Sequence, residues 1–408
     1  MMVNVVGLGY IGLPTILMLG AHGVEVTGTD YNGSLVDMLN NGKLSFKEEG
    51  LEELYRIARE NGVSFTTEYV KADVYIISVP TPYEEVTKKV DASYVINAVK
   101  AVLPVCNREA VIVIESTISP GTIDTYIRPV IREYGLVIGE DIHLAHAPER
   151  IIPGNMIHEL LNNDRTIGAD DPVIGEKIKH IYSSFCQGTI TVTSIRAAEM
   201  TKVVENTFRD INIAYANELA RICHEQNLDV HEIIRIANQH PRVNILSPGP
   251  GVGGHCIPID PWFLVGDFPS LTHVIKAARE VNDSMPEYVL GRVSEVMDEC
   301  GIKDINRVGF YGLTYKADVD DVRDSPTLQM ISSLKKHLCG NRVKAYDPMV
   351  EKDIVPNQYH DLDTFLESVD LVVILVDHRE IKDNMNKLKG KIIFDTRHVC
   401  SLEGVYHL

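Results

Sequence analysis

Between Pro248 and Leu264 the chain reads P-G-P-G-V-G-G-H-C-I-P-I-D-P-W-F-L. Gly249, Gly251, Gly253 and Gly254 stand ahead of Cys256, and Asp260 follows four residues later between prolines. Glycine lets the backbone turn through positive φ and admits a ligand close to the main chain, so this stretch reads as a loop wrapped around something. A thiol beside such a loop is a candidate nucleophile. A turn-rich linker with a buried cysteine is the plain alternative. Lys202, Asn206 and Arg209 are spaced i, i+4, i+7 and so share one helical face. Such a row is either a wet surface or a device that orients an anionic substrate and supplies an acid/base. Gly7-Leu8-Gly9-Tyr10-Ile11-Gly12 is a G-x-G-x-x-G, and Asp30 lies 18 residues beyond the third glycine. That spacing suits a dinucleotide: glycines for the tight turn, a helix N-terminus for the pyrophosphate and a carboxylate for the adenosine ribose. With no arginine directly after Asp30, the expected cofactor is NAD rather than NADP.

These residues need strands and helices to hold them. Residues 2–7 read as a buried strand that runs into the glycine motif, and 24–30 as a second strand ending at Asp30. Apolar runs at 74–79, 110–114 and 142–145 continue the alternation. They end in S-V-P-T-P (78–82), E-S-T-I-S-P-G-T (115–122) and H-A-P-E-R (146–150). Strand C-termini in such sheets face the ligand crevice, so Thr81 and Thr117 are expected to face the cofactor. Glu149-Arg150 offers an acid beside a base, or else a solvated loop. From about 196 the pattern turns helical. Val204, Phe208, Ile211, Tyr215, Leu219 and Ile222 form an apolar stripe, with the Lys202 row opposite. Further helices are expected at about 229–239 and 271–300, and helices this long commonly carry a subunit interface. After Gly301 strands resume at 307–311, 343–346, 371–376 and 391–394, without a second G-x-G-x-x-G.

The expected fold is therefore α/β: two doubly wound, Rossmann-like domains joined by a long-helix central domain. The expected boundaries are 1–195, 196–300 and 301–408.

The totals narrow the partners. A formal charge of −18 over 408 residues argues against nucleic acid and anionic membranes as general partners. Seven cysteines, odd in number, widely spaced and without C-x-x-C, argue against a zinc site or disulfide framework and for a reducing compartment. No metal is expected, and a cytoplasmic location is. The apolar residues 5–21 are broken by three glycines and not preceded by Lys or Arg, so they read as strand and helix rather than a leader or membrane span.

Taken together, G-L-G-Y-I-G, S-V-P-T-P, E-S-T-I-S-P-G-T, A-P-E-R, the K-x-x-x-N helix, G-G-H-C-x-x-x-D and Y-K-x-D…R-D-S-P occur in one order across the chain. In this it resembles the nucleotide-sugar 6-dehydrogenase family, typified by UDP-glucose and GDP-mannose dehydrogenases. The resemblance implies Cys256 as nucleophile and Lys202 as acid/base and oxyanion stabiliser. Asn206 would hold the substrate oxygen, Asp260 would pair with Lys202 and position water, and Glu149 would assist hydrolysis. Thr117 would belong to both the catalytic and the cofactor set. Arg150, Arg209, His240, Arg242, Gly253, Tyr315 and Lys316 would contact the UDP-sugar, and Arg323 would reach the cofactor. The loop form is most similar to the UDP-N-acetylhexosamine branch, implying UDP-N-acetyl-D-mannosamine as substrate with UDP-N-acetylglucosamine the alternative. His255 stands where UDP-glucose enzymes typically have a small residue, which points away from a glucose-type pocket and into the substrate set. A homodimer or higher homo-oligomer is expected.

The chemistry agrees. Taking an alcohol to a carboxylate removes four electrons, two per NAD. A base is needed for the first oxidation, a thiolate to capture the aldehyde and an activated water to release the product. A nearby cation favours the thiolate. A two-electron hydroxyacid dehydrogenase would need neither Cys256 nor a second nucleotide-type domain. A non-catalytic sensor would have no use for Cys256, Lys202 and Asp260 together.

Overall fold

The structure is a computed structural model and describes residues 1–254, 256–337 and 343–408. The chain forms two compact units. The first comprises Met1–Glu205 with Trp262–Pro269, and the second Asn206–Pro261 with Ser270–Leu408.

The first unit is built on β1 (Val3–Val6), β2 (Val26–Thr29), β3 (Ser64–Thr66), β4 (Val74–Ile77), β5 (Ala110–Ile114), β6 (Ile142–His146), β7 (Arg165–Ala169) and β8 (Ile190–Thr193). Their order in the sheet is β3-β2-β1-β4-β5-β6-β7-β8. All neighbours are parallel except β6 and β7. The apolar runs are nearly continuous because the sheet is covered on both faces. Along β5, Val111 and Val113 join one core, while Ala110, Ile112 and Ile114 join the other. The chain reverses direction across the sheet between β1 and β4, which is where such sheets bind ligands.

The second unit holds β9 (Val308–Tyr311), β10 (Lys344–Tyr346), β11 (Gln358–Tyr359), β12 (Leu371–Ile374), β13 (Ile392–Asp395) and β14 (Tyr406–His407). They form a parallel sheet in the order β11-β10-β9-β12-β13-β14. Both doubly wound sheets are thus present. The short β3, β11 and β14, the antiparallel β7 and its parallel neighbour β8 are additions that the apolar pattern did not announce.

The helix Ile195–Glu225 runs without a break for 31 residues. It buries its polar and small face: Lys202, Asn206, Asp210, Ala216, Asn217 and Ala220 are all buried. Its apolar stripe faces solvent, with Phe208 65% exposed and Val204, Tyr215 and Ile222 about half exposed. The wet-surface reading of the Lys202 row is therefore corrected: Lys202 and Asn206 are buried and Arg209 is half-buried. A second correction concerns the cysteine stretch. Its end is not loop but a helix, Asp260–Asp267, with Pro261 in the first turn, where a missing N–H costs nothing.

Among the described residues no two cysteines are joined in a disulfide. Among the described residues no helix is long and apolar enough to cross a membrane. No group of three or more His, Cys, Asp or Glu among them could hold a metal ion.

Candidate active site

In the first unit, Gly7 ends β1 with φ +93°, and a Cβ there would lie 2.3 Å from the Ser78 carbonyl oxygen. A Cβ at Gly12 would lie 1.9 Å from the Gly7 oxygen, whereas one at Gly9 would meet nothing within 4 Å. So Gly7 and Gly12 make the turn, and Gly9 leaves open space above it for a ligand. Tyr10 stacks on Phe46 at 4.4 Å, and both it and Ile11 pack against the core. Asp30 sits at the end of β2, its Oδ2 accepting from Leu8 N at 2.8 Å and its Oδ1 from Asn32 N at 2.9 Å. An ionised carboxylate accepts about four hydrogen bonds, so Asp30 keeps capacity for a ribose diol. These features fit NAD.

The second sheet repeats the device with more donors on the acid. Gly312 follows β9 with φ +98°. Asp347 follows β10, and its Oδ2 accepts from Leu313 N at 2.6 Å, as Asp30 does from Leu8. But Asp347 also accepts from Thr314 N, Met349 N and the buried His378 Nε2. His378 Nδ1 accepts from Asp318 N at 3.0 Å, which puts its proton on Nε2, toward Asp347. Burial opposes ionisation of Asp347, yet His378 and the backbone donors outweigh it and hold the carboxyl below its ordinary range. Three of these donors fall on Oδ2 and one on Oδ1, so Asp347 is more heavily engaged by its own chain than Asp30 is.

The loops after β4 and β5 are tied together: Thr81 Oγ1 donates to the Thr117 carbonyl at 2.6 Å, and Ser116 Oγ to that of Val79 at 2.7 Å. Glu199, on the long helix, accepts from Gly121 N at 2.6 Å and Ile123 N at 3.0 Å, and so fastens the segment just beyond Thr117. Glu149 is buried in an ion pair with Arg165 and accepts from Arg150 N. The Arg150 guanidinium is held by the Asp164 carbonyl, by Thr166 Oγ1 and by Glu205 at 2.6 Å. Lys202 is 6% exposed, and no acid among the described residues of its own unit lies within ion-pair distance.

Two of these buried acids have displaced proton affinities. Burial pushes Glu199 up to about 7, against its two backbone donors. Burial, then the charge of Glu149, pushes Glu115 up to about 7 as well. Glu115 was not singled out from the sequence; its only signal was an acid at the end of an apolar run. A raised carboxyl stabilises the fold fully below its ordinary value and loses that contribution as pH climbs toward 7. Relative to wild type, Glu199→Gln is therefore expected to gain on the order of 1–3 kcal/mol between pH 5 and pH 8. Thermal unfolding at both pH values measures it; a gap independent of pH would refute it.

In the second unit, Asn206 Nδ2 donates to Asp260 Oδ2 at 2.5 Å, with both side chains buried. Cys256 is exposed and begins the turn into the Asp260 helix: its carbonyl accepts from Ile259 N and Asp260 N. A Cβ at Gly253 would lie 2.6 Å from Tyr315 Cβ, and one at Gly254 would lie 2.9 Å from the Tyr315 ring. Gly254 N also bonds the Arg323 carbonyl. Gly253 and Gly254 thus give the 315–326 loop of the protein itself the room a Cβ would take. Arg323 is clamped on Asp321 through Nε and a terminal nitrogen. Lys316 is half-buried, and His240 and Arg242 are exposed, His240 Nδ1 accepting from Arg242 N. His255 lies outside the described residues.

A doubly wound sheet with an open dinucleotide crevice in one unit, and an exposed cysteine one turn ahead of a buried amide–carboxylate pair in the other, are the parts of a nucleotide-dependent oxidoreductase. The chain belongs to the UDP-glucose/GDP-mannose dehydrogenase family: the family's NAD binding domain matches residues 1–186, its central domain 196–284 and its UDP binding domain 309–402. Enzymes of this family are NAD-dependent and act on the sugar C6 alcohol. A Methanococcus maripaludis protein named UDP-N-acetyl-D-mannosamine dehydrogenase is 44% identical over 407 residues, spanning 97% of this chain and 92% of that one. The native structure of the UDP-N-acetyl-mannosamine dehydrogenase from Staphylococcus aureus is 42% identical, with a TM-score of 0.89, covering 100% of this chain and 98% of that one. The UDP-D-ManNAc dehydrogenase structure from Pyrococcus horikoshii is 35% identical, with a TM-score of 0.91 and coverage of 100% and 99%.

Proposed function

We propose that this chain oxidises the C6 alcohol of UDP-N-acetyl-D-mannosamine to the carboxylate, removing four electrons. The observation that carries the reading is an exposed Cys256 one turn ahead of Asp260, which is locked on Asn206. Lys202, in its neutral form, takes the hydroxyl proton in the first oxidation and stabilises the oxygen as charge develops. Asn206 holds that oxygen. The Cys256 thiolate then adds to the aldehyde carbon, and the second oxidation turns the thiohemiacetal into a thioester. Asp260 and Thr117 orient water, which attacks the thioester carbon. The C–S bond breaks, the thiolate returns to Cys256, and the water's proton passes to Glu149. Gly7, Gly9, Tyr10, Ile11, Gly12, Asp30, Thr81, Thr117 and Arg323 would hold NAD, which when bound would supply the electron acceptor for both oxidations.

Arg150, Arg209, His240, Arg242, Gly253, His255, Tyr315 and Lys316 are assigned to the UDP-sugar. By role the chain divides into a cofactor segment 1–195, a central segment 196–300 and a UDP-sugar segment 301–408. Phe208, Tyr215 and Ile222 on the exposed face of the long helix are large apolar side chains in a row, and a second copy of the chain is the proposed cover. The cytoplasm is the proposed location.

Limiting sugar should yield two NADH per molecule; one NADH with aldehyde as product would overturn the reading. An acetamido group offers one donor and one acceptor, and a site built to pair them loses roughly 1–3 kcal/mol for each partner left unmatched. The kcat/KM for UDP-N-acetyl-D-mannosamine should therefore exceed that for UDP-glucose by roughly 5- to 150-fold. If UDP-N-acetylglucosamine wins the comparison, the C2 configuration is corrected. If UDP-glucose wins, the acetamido argument falls.

A further inference from the structure

Glu115 closes β5 and is 1% exposed. Among the described residues no cation hydrogen-bonds to it; its donors are two hydroxyls, Tyr182 at 2.8 Å and Thr15 at 3.2 and 3.3 Å. Tyr182 works at both ends. Its hydroxyl holds Glu115, while its ring carries the Arg165 guanidinium 4.7 Å from the centroid. Phe185 adds a second ring at 5.3 Å. Arg165 is 5% exposed, its Nε has no partner, and a terminal nitrogen pairs with Glu149. The aromatic rings and that single pair therefore set where the guanidinium lies.

We propose that Glu115 is a positioning residue for thioester hydrolysis, acting on Glu149 through Tyr182 and Arg165 by fixing its carboxylate and setting the charge of the buried cluster. The charged groups facing Glu115 are Arg165 on β7 and Glu149 after β6; Thr15 faces it from the helix Gly12–Ala21 and Tyr182 from the helix Pro172–Tyr182. With Glu115 protonated, the Arg165–Glu149 pair sums to zero, and a proton taken from water by Glu149 leaves an unbalanced buried cation. With Glu115 ionised, the same transfer leaves the cluster neutral, which low dielectric favours. Hydrolysis should therefore quicken as Glu115 ionises, at about pH 7.

The inference rests on the reading of Glu149 as the group that assists hydrolysis. The measurement is the decay of the Cys256 acyl-enzyme, formed with NAD and the best UDP-sugar of the panel, followed by quench and intact mass from pH 5.5 to 8.5. Wild type should accelerate through about pH 7. Glu115→Gln, which cannot ionise, should lack that rise and run about tenfold slower at pH 8. Tyr182→Phe keeps the ring but removes a donor to the charged form, and should move the inflection to higher pH. If Glu149→Gln hydrolyses at the wild-type rate, the Glu149 reading falls and this proposal with it. If Glu149→Gln is slow but Glu115→Gln follows the wild-type profile, only the Glu115 proposal is overturned. Should Glu115→Gln not fold, an unmoved inflection in Tyr182→Phe overturns it equally.

Discussion

Cys256→Ala is expected to stop formation of the uronate while leaving UDP-sugar and NAD binding intact. The sulfur is the only heavy atom removed. The turn into the Asp260 helix is made by the Cys256 carbonyl, which accepts from Ile259 N and Asp260 N, and alanine preserves both bonds. The Asn206–Asp260 pair does not involve the side chain at 256. Without a thiolate there is no covalent adduct on which the second oxidation can act. The carboxylate-forming rate should fall by about 10³-fold or more, the scale seen when a covalent nucleophile is deleted. Mass analysis of the products and calorimetric titration of both ligands provide the measurement. Uronate at near wild-type rate would make Cys256 structural and remove the centre of the proposed mechanism.

Lys202→Met should lower kcat by roughly 10²- to 10⁴-fold, the range for loss of a positioned acid/base, with little change in KM for the sugar nucleotide. Methionine matches the unbranched apolar stem of lysine without its terminal nitrogen, so the buried face of the long helix should stay packed. The effect would then be chemical rather than structural. The helix is built to bury this residue: Lys202 and Asn206 lie on its buried side, and Glu199, one turn earlier, anchors the segment beyond Thr117. Steady-state kinetics across pH, with and without added small amines, measures it. A loss below tenfold, or no change in pH profile, would leave Lys202 as a filler of the helix face.

Much of the site was legible in the residues because its chemistry is local. Gly7, Gly9 and Gly12 with Asp30 form one strand–turn–helix–strand unit, and the spacing alone places Asp30 at the end of the second strand. The strands carrying Thr81, Thr117 and Glu149 were legible because parallel strands covered on both faces must be continuously apolar. Cys256 and Asp260 could be paired in thought because four residues make one helical turn. Where a strand sits at an edge, as β3 and β14 do, it carries no such run, and only its neighbour's free backbone groups define it.

Three features were settled by the tertiary structure alone. A 3.6-residue period says that the long helix has two faces but not which one is covered; packing chose the polar face and left Phe208 and Tyr215 outside. Glycine reports that a Cβ is unwelcome but not what occupies the space, and at Gly253 and Gly254 it is Tyr315, about sixty residues on. Glu115 reads as one more acid until β5, β7 and two helices enclose it with Tyr182 and Arg165. Its proton affinity comes from burial and from neighbours up to a hundred residues away, as Thr15 is, so no local spacing could carry it.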